Sequence, residues 1–479
     1  MEQVGELKKR TVISTFSLFF QSGFSAALGL VANLVLTILL SPSIFGIYIT
    51  ILSMISILNY FSDIGLAASL IQKKEITDED VKTTFTVQQF LILTLIFIAF
   101  LLTSSIIKFY ALPSEGKFLY WSLLLSFFLS SLKTIPSVFL ERKIQFQKIV
   151  LVQVCENITF YLSVIIFAVL GFKLTSFTYA VLFRSIIGVI LIYLFSRWMP
   201  KIGIVWKNLR ELLHFGLPFQ ASSFLALFKD DLITLYLGKV LGFEILGYIG
   251  WAKKWAEAPI RIIMDNLSRV LFPVMARIQH DKDKISKLVD KILYYQSMIL
   301  APSVVGLALV MSPLISVIPK YGKWQPALPL FYLFCLASLF SSYSSPFINL
   351  FNALGKVKIS FIFMVIWTTM VWILTTILTR FFHAYGFPIT QLILSSTFLF
   401  VVWQAKKIIR FSFIKPIYKP LLASLFMGII LVLLESFIHI SFMTLGIIVL
   451  TGFFTYFILL LLLFKINLIT EIRSLLSYE

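Results

Sequence analysis

Charged side chains stranded in long apolar stretches are the residues of this sequence most able to do chemistry. Two neighbouring stretches, 214–238 and 244–268, concentrate them. The first holds Lys229, Asp230 and Asp231; the second holds Lys253, Lys254, Glu257, Arg261 and Asp265, with Arg269 just beyond. At about 100° per residue, Lys254, Glu257, Arg261, Asp265 and Arg269 form one stripe of a helix. Such a stripe cannot face hydrocarbon, so it must line water or another polar helix. One reading is a hydrated, net-cationic wall that receives an anionic substrate through charge-assisted hydrogen bonds. The other is internal neutralisation, because Glu257–Arg261, Arg261–Asp265 and Asp265–Arg269 are each four apart and can pair along the helix. Even fully paired, Lys253, Lys254, Arg261 and Arg269 outnumber Glu257 and Asp265.

Other charges are more isolated. Lys133 and Arg184 either add to a basic cavity or snorkel to a surface. Asp63 lies near the end of its stretch and reads as interfacial. Glu156 and Glu435 could carry a proton, and Asp230 or Asp231 could coordinate a cation; no residue pattern selects among them. The candidate substrate-binding cations are thus Lys229, Lys253, Lys254, Arg261, Arg184 and Lys133. The candidate ion-coupling carboxylates are Asp230, Asp231, Glu257, Asp265 and Glu156. The expectation is no catalytic residue, no metal site and no cofactor, with coupling to H+ or Na+ left open.

The elements that must hold these residues follow from composition. The chain has 479 residues, of which 59% are hydrophobic and only 13% charged, against ~25% charged in soluble domains. A water-soluble enzyme and a disordered chain are both excluded. The apolar residues number about 283; at roughly 20 per bilayer-spanning helix the ceiling is near 14 spans. The fold class expected is an all-α polytopic membrane protein. Turn residues and charge clusters mark fourteen spans, from 11–40 to 444–466, of which 244–268 is the most charged and 386–404 the shortest.

The formal charge of +19 would suggest nucleic acid in a soluble protein. Here the charges fall between apolar segments, where they orient the chain and touch anionic lipid, and no nucleic-acid partner is expected. With the N-terminus in the cytoplasm, the inner segments hold 27 Lys and Arg and the outer loops hold 7. That contrast places both termini inside and supports an even number of spans. The polar start, Met1 to Arg10, leads into an apolar run too long for a signal-peptide core, so it reads as a retained first span. No loop exceeds about 17 residues, so binding must occur among the helices.

A faint repeat relates Ser41-Pro42-Ser43-Ile44-Phe45-Gly46 to Gly242-Phe243-Glu244-Ile245-Leu246-Gly247 at an offset of 201 residues. That offset is six spans, so the halves would enter the membrane in the same direction, with a substrate path between them. Other signals carry little. No phosphate-binding Gly-x-x-x-x-Gly-Lys-Ser/Thr loop and no His-Glu-x-x-His is present, and four histidines are scattered. Asp281-Lys282-Asp283 reads as a solvated loop, and Cys155 and Cys335 as neither a disulfide nor a metal pair. The glycosylation sequon at Asn157 falls within a span.

Several short motifs occur in a telling order. Glu211-Leu212-Leu213-His214-Phe215-Gly216-Leu217-Pro218 resembles the segment that begins the second lobe of bacterial polysaccharide transporters, the O-antigen and capsule-repeat flippases. Leu140-Glu141-Arg142-Lys143-Ile144-Gln145-Phe146 is similar to that family's loop after span four. Asp231 through Gly238, Leu246-Gly247-Tyr248, Leu271-Phe272-Pro273 through Asp281, Tyr321-Gly322-Lys323-Trp324 and Ala353-Leu354-Gly355-Lys356 resemble further family motifs, across about residues 8 to 465. Lys253-Lys254-Trp255 departs from the family pattern, so a charged eighth span is this sequence's own feature.

The resemblance implies the fold of the multidrug/oligosaccharidyl-lipid/polysaccharide exporters. That is a MATE-like bundle with an N-terminal lobe at 1–197, a C-terminal lobe at 198–404, and two additional spans with a tail at 405–479. It implies alternating access and an undecaprenyl-pyrophosphate-linked oligosaccharide carried across the bacterial cytoplasmic membrane. It also suggests a polysaccharide polymerase and a chain-length regulator as partners. A drug antiporter of the same fold would want an acidic cavity, and a polymerase or ligase a large outer loop. A flippase for the lipid-linked peptidoglycan precursor is the closer alternative. Trp251, Trp255 and Tyr248 could stack on sugar rings or serve as anchors and core.

Overall fold

Pro42 at the first turn and Gly65 in a left-handed conformation (φ 81°) bracket the second span, illustrating how turn residues cut an otherwise continuous apolar chain into helices. The computed structural model describes residues 2–462, apart from the side chains at 2–16, 18–19, 218–219, 221–226, 265–266 and 269–270. Residues 463–479, which include the end of the last expected span and the expected cytoplasmic tail, lie outside the described residues, as do the side chains of Asp265 and Arg269. Among the described residues all regular structure is helical.

Two compact units divide the chain, 1–250 and 251–479. The first contains α1 (Glu2–Leu39), α2 (Pro42–Ser62), α3 (Leu66–Gln72), α4 (Asp78–Leu101), α5 (Thr103–Tyr110), α6 (Ser114–Leu132), α7 (Thr134–Arg142), α8 (Phe146–Val169) and α9 (Thr175–Phe195). It continues through α10 (Trp206–Ala226), a five-residue π turn (Leu227–Asp231), α11 (Leu232–Leu241) and the first turns of α12 (Phe243–Arg277). The second unit holds the rest of α12, then α13 (Lys282–Val317), α14 (Leu328–Ser342), α15 (Ser345–Ala353), α16 (Val357–Phe382), α17 (Gly386–Ser396), α18 (Phe398–Lys406), α19 (Ile414–Phe437) and α20 (Phe442–Leu462).

Eleven helical stretches among the described residues are long and apolar enough to cross a membrane. They hold twelve of the fourteen expected spans, because Val357–Lys406 runs through both the eleventh and the twelfth. The expected seventh and eighth spans are helical, as α10, α11 and α12, but fall outside that set; α11 is only ten residues long and α12 is rich in charge. The chain is a multi-pass membrane protein.

The expected repeat turns out to be a contact. A Cβ on Gly46 would land on the Phe243 carbonyl, and a Cβ on Gly247 would land on the Pro42 carbonyl. Each partner is displaced by the same 201 residues (Pro42 to Phe243, Gly46 to Gly247), so the first turns of α2 and α12 meet as a reciprocal, locally two-fold pair. Gly65 and Gly216 make a second such crossing, each facing the other's backbone. Only a missing side chain lets two helix backbones come this close.

Where the first unit meets water, polar groups fasten the segments together. Asp80, fully buried, accepts from the Thr77 amide at 2.9 Å, from Asn208 at 2.9 Å and from Lys73 at 3.1 Å. Lys73 also reaches Glu211 at 3.1 Å. Partial desolvation opposes its charge, but the bonds to Asp80 and Glu211 prevail and raise its pKa above the ordinary lysine value. Arg142 fills the C-terminal end of α3, donating to the carbonyls of Leu70, Ile71, Lys73 and Lys74.

The glycine contact is directly testable. Gly46→Val or Gly247→Val in the full-length protein should prevent the close crossing and sharply reduce the yield of monodisperse, detergent-solubilised protein. Gly446→Val, where no atom lies within 4 Å of an added Cβ, should be tolerated. Equal yields across the three would remove the reciprocal contact from the account.

Candidate functional site

In the first unit, Lys133 and Glu156 form an ion pair at membrane depth. Lys133 sits at the break between α6 and α7, and Glu156 lies in the middle of α8 with its side chain only 6% exposed. Room for the carboxylate comes from α9: a Cβ on Gly188 would overlap Glu156 Oε1. Four residues earlier on α9, Arg184 places its guanidinium 5.7 Å from the ring centre of Phe160. Cation–π contact and a neighbouring acid–base pair each offset part of the cost of holding a full charge in an apolar bundle.

The π turn carries Lys229, Asp230 and Asp231. Such turns insert one residue into the helical ladder and often mark functional positions. Asp230 is exposed and Lys229 half-buried. Asp231 faces α2, where Ser56 donates to its carboxylate at 3.0 Å and the hydroxyls of Ser53 and Tyr60 bond it as well. Sequence reasoning missed these three hydroxyl partners, which are 170 to 180 residues away and leave no local pattern.

In the second unit, Glu257 is shared. Arg261 donates to it at 2.8 Å and 3.2 Å, and Lys253 lies 3.8 Å away. The neutralising pairs foreseen along α12 therefore form at Glu257–Arg261, while the two pairs through Asp265 lie outside the described side chains. Arg261 stays open to solvent, with its side chain 69% exposed, and Lys254 is exposed on the same stripe. One carboxylate against Lys253, Lys254 and Arg261 leaves this face net positive among the described residues.

Trp251 has a different job from the sugar-stacking one considered for it. It is buried, stacks on Trp324 with centroids 5.5 Å apart, and donates its indole N–H to Tyr321 at 3.0 Å. Tyr321 and Trp324 are themselves fully buried, so the Tyr321-Gly322-Lys323-Trp324 motif is a core device. Asp281 caps α13 by accepting from the Lys284 amide at 3.0 Å. Among the described residues no His, Cys, Asp and Glu side chains group as a metal site.

The second unit also holds an apolar cavity of about 480 Å³ between α13, α19 and α20. Pro302, Gly306, Leu307, Met427, Gly452 and Phe453 are among its lining. Gly306 and Gly452 contribute no side chain to fill it, and Pro302 interrupts the helical ladder of α13.

Residues 35–329, more than half of the chain, match the family described as polysaccharide biosynthesis protein. The chain belongs to that family. Among its curated relatives, the lipopolysaccharide biosynthesis protein WzxC of Escherichia coli is 26% identical over 70% of this chain and 68% of its own length. The succinoglycan biosynthesis transport protein ExoT of Rhizobium meliloti is 22% identical over 84% of this chain and 82% of its own. A solved structure of the lipid II flippase MurJ superposes with a TM-score of 0.75 at 17% identity, covering 95% of this chain and 99% of that one. An inward-facing multidrug MATE transporter superposes with a TM-score of 0.51 at 13% identity, covering 82% and 94%. This polysaccharide biosynthesis family member therefore shares the all-α polytopic fold of MurJ and the MATE transporters.

The Lys133–Glu156 pair makes a quantitative expectation. Lys133→Met or Glu156→Gln alone should each lower unfolding stability by roughly 3–5 kcal/mol, because one buried charge is left uncompensated. The double variant should recover most of that loss. Thermal unfolding of the purified protein checks it; a double variant worse than the sum of the singles would contradict the pairing.

Proposed function

We propose that the protein is a flippase that moves undecaprenyl-pyrophosphate-linked oligosaccharide repeats across the bacterial cytoplasmic membrane, for surface polysaccharide such as O-antigen, capsule or exopolysaccharide. The observation that supports this reading is the net-positive, exposed face of α12 among the described residues. Ammonium and guanidinium groups in a partly desolvated site bind phosphate oxygens strongly, and a pyrophosphate offers several. Membership of the polysaccharide biosynthesis family supports the sugar part of the cargo. The apolar cavity between α13, α19 and α20 suits a lipid tail.

In this reading Lys254 and Arg261 contact the pyrophosphate. Lys253 and Glu257 position Arg261, and Lys229, Arg184 and Lys133 extend the basic character. The protein works as a transporter by alternating access, with both termini in the cytoplasm and no reaction at the sugar. Lacking a phosphate loop, it takes direction from an ion gradient or from consumption of product outside. Asp231, bonded by three hydroxyls of α2, is the favoured coupling carboxylate for H+ or Na+, with Asp230, Glu257, Asp265 and Glu156 as the other candidates. A polysaccharide polymerase and a chain-length regulator would act on the product. A drug antiporter would present an acidic face rather than this basic one.

The test is in cells. Lys254→Ala and Arg261→Ala should each abolish surface polysaccharide and cause lipid-linked repeats to accumulate, with membrane levels of the protein unchanged. Normal surface polysaccharide in both variants would overturn the assignment of those residues and of the basic face.

A further inference from the structure

A second basic site lies in the first unit, and none of its lining residues was given a part in transport. It is a pocket of about 560 Å³ where the end of α7, the start of α8 and the end of α9 converge. Lys143, Gln145, Lys148, Leu194, Arg197 and Trp198 are among its lining. Three cations thus share one small cavity. Glu141, the acid of that loop, does not line it, and among the described residues no carboxylate pairs with Lys143, Lys148 or Arg197. Like charges gathered without a counter-ion are unfavourable unless an anion from outside joins them.

The backbone holds this arrangement in place. The chain leaves α7 through Ile144 in a left-handed conformation (φ 52°), with the Ile144 amide bonded to the Glu141 carbonyl and the Gln145 amide to that of Leu140. That turn sets Lys143 and Lys148 on either side of the α8 N-terminus, the positive end of the helix dipole. Trp198 is fixed edge-on against Phe85, centroids 5.2 Å apart.

The neighbourhood distinguishes a lipid from a free anion. On α9, Phe183, Ile186, Ile190 and Leu194 are all exposed. Their spacing of three and four puts them on one helical stripe. The stripe ends at Leu194, which lines the pocket. A ligand with phosphate in the pocket would therefore have its hydrocarbon against an apolar ridge, and tryptophan is the side chain that favours this boundary. The volume lies within the range of small-ligand sites.

We propose that this pocket binds the headgroup of an anionic membrane phospholipid. Lys143, Lys148 and Arg197 hold the phosphate, and the α9 stripe carries an acyl chain. The site acts on the surrounding membrane rather than on the cargo, and it stands whether or not the transport reading does. By the positive-inside bias it faces the inner leaflet, where anionic lipid attracts clustered Lys and Arg.

The experiment is a titration of the full-length, delipidated protein in neutral detergent, followed by native mass spectrometry. The probes are phosphatidylglycerol, phosphatidylcholine and inorganic phosphate. The unaltered protein should bind phosphatidylglycerol at least about tenfold tighter than phosphatidylcholine, given the attraction of each basic residue to an anionic headgroup. The combined Lys143→Gln, Lys148→Gln and Arg197→Gln variant should lose that preference. A charge-matched variant, Lys201→Gln, Lys207→Gln and Arg210→Gln, should keep it. Millimolar inorganic phosphate should not displace the lipid. Should the first variant fail to yield monodisperse protein, the three single substitutions are read the same way, each weakening the preference about threefold. Retained preference in the pocket variants, equal loss in the charge-matched one, or displacement by phosphate would each overturn the proposal.

Discussion

A full charge in hydrocarbon is unaffordable without a partner, and much of the interior arrangement of this chain follows from that. Lys133 has Glu156, and Glu156 has the space left by Gly188. Arg184 has the face of Phe160. Asp231 has hydroxyls from α2, and Glu257 answers both Lys253 and Arg261. The same rule makes the exceptions informative. Lys254 and Arg261 lie exposed on α12 beside the single described carboxylate of Glu257, and the proposed anionic cargo is assigned to that excess of positive charge.

Backbone proximity is the second constraint. Helices in lipid gain little by burying apolar surface against each other, so they associate through close contact at small residues. The Gly46–Phe243 and Gly247–Pro42 contacts do this reciprocally, and Gly65–Gly216 does it again. Family motifs that look like unrelated short strings in sequence are explained by such contacts. Gly216 of the Phe-Gly-Leu-Pro string meets Gly65, Arg142 closes the end of α3, and Tyr321 with Trp324 buries Trp251.

What could be read beforehand was what depends on local composition. Apolar run length located the helices, and the i to i+4 spacing foresaw Glu257–Arg261. The repeat was visible as a faint similarity between Ser41–Gly46 and Gly242–Gly247, though not that its two copies touch. Hidden were the interactions between residues far apart in the chain. Lys133 and Glu156, weighed separately, meet as one pair, and nothing near Asp231 announces Ser53, Ser56 or Tyr60. The π turn was equally invisible, because one inserted residue barely alters hydrophobic periodicity. The charges that made α12 the most interesting helix are also what keep it from being counted as a span.

The central claim is that the cargo is an anionic, lipid-linked sugar rather than a cationic drug. Reconstitution in proteoliposomes tests it most directly. A fluorescent undecaprenyl-pyrophosphate oligosaccharide is followed by its loss of accessibility to an external quencher, beside a cationic dye, with and without an imposed proton or sodium gradient. The account predicts protein-dependent movement of the sugar lipid and none of the dye. Movement of the dye with no movement of any sugar lipid would contradict it.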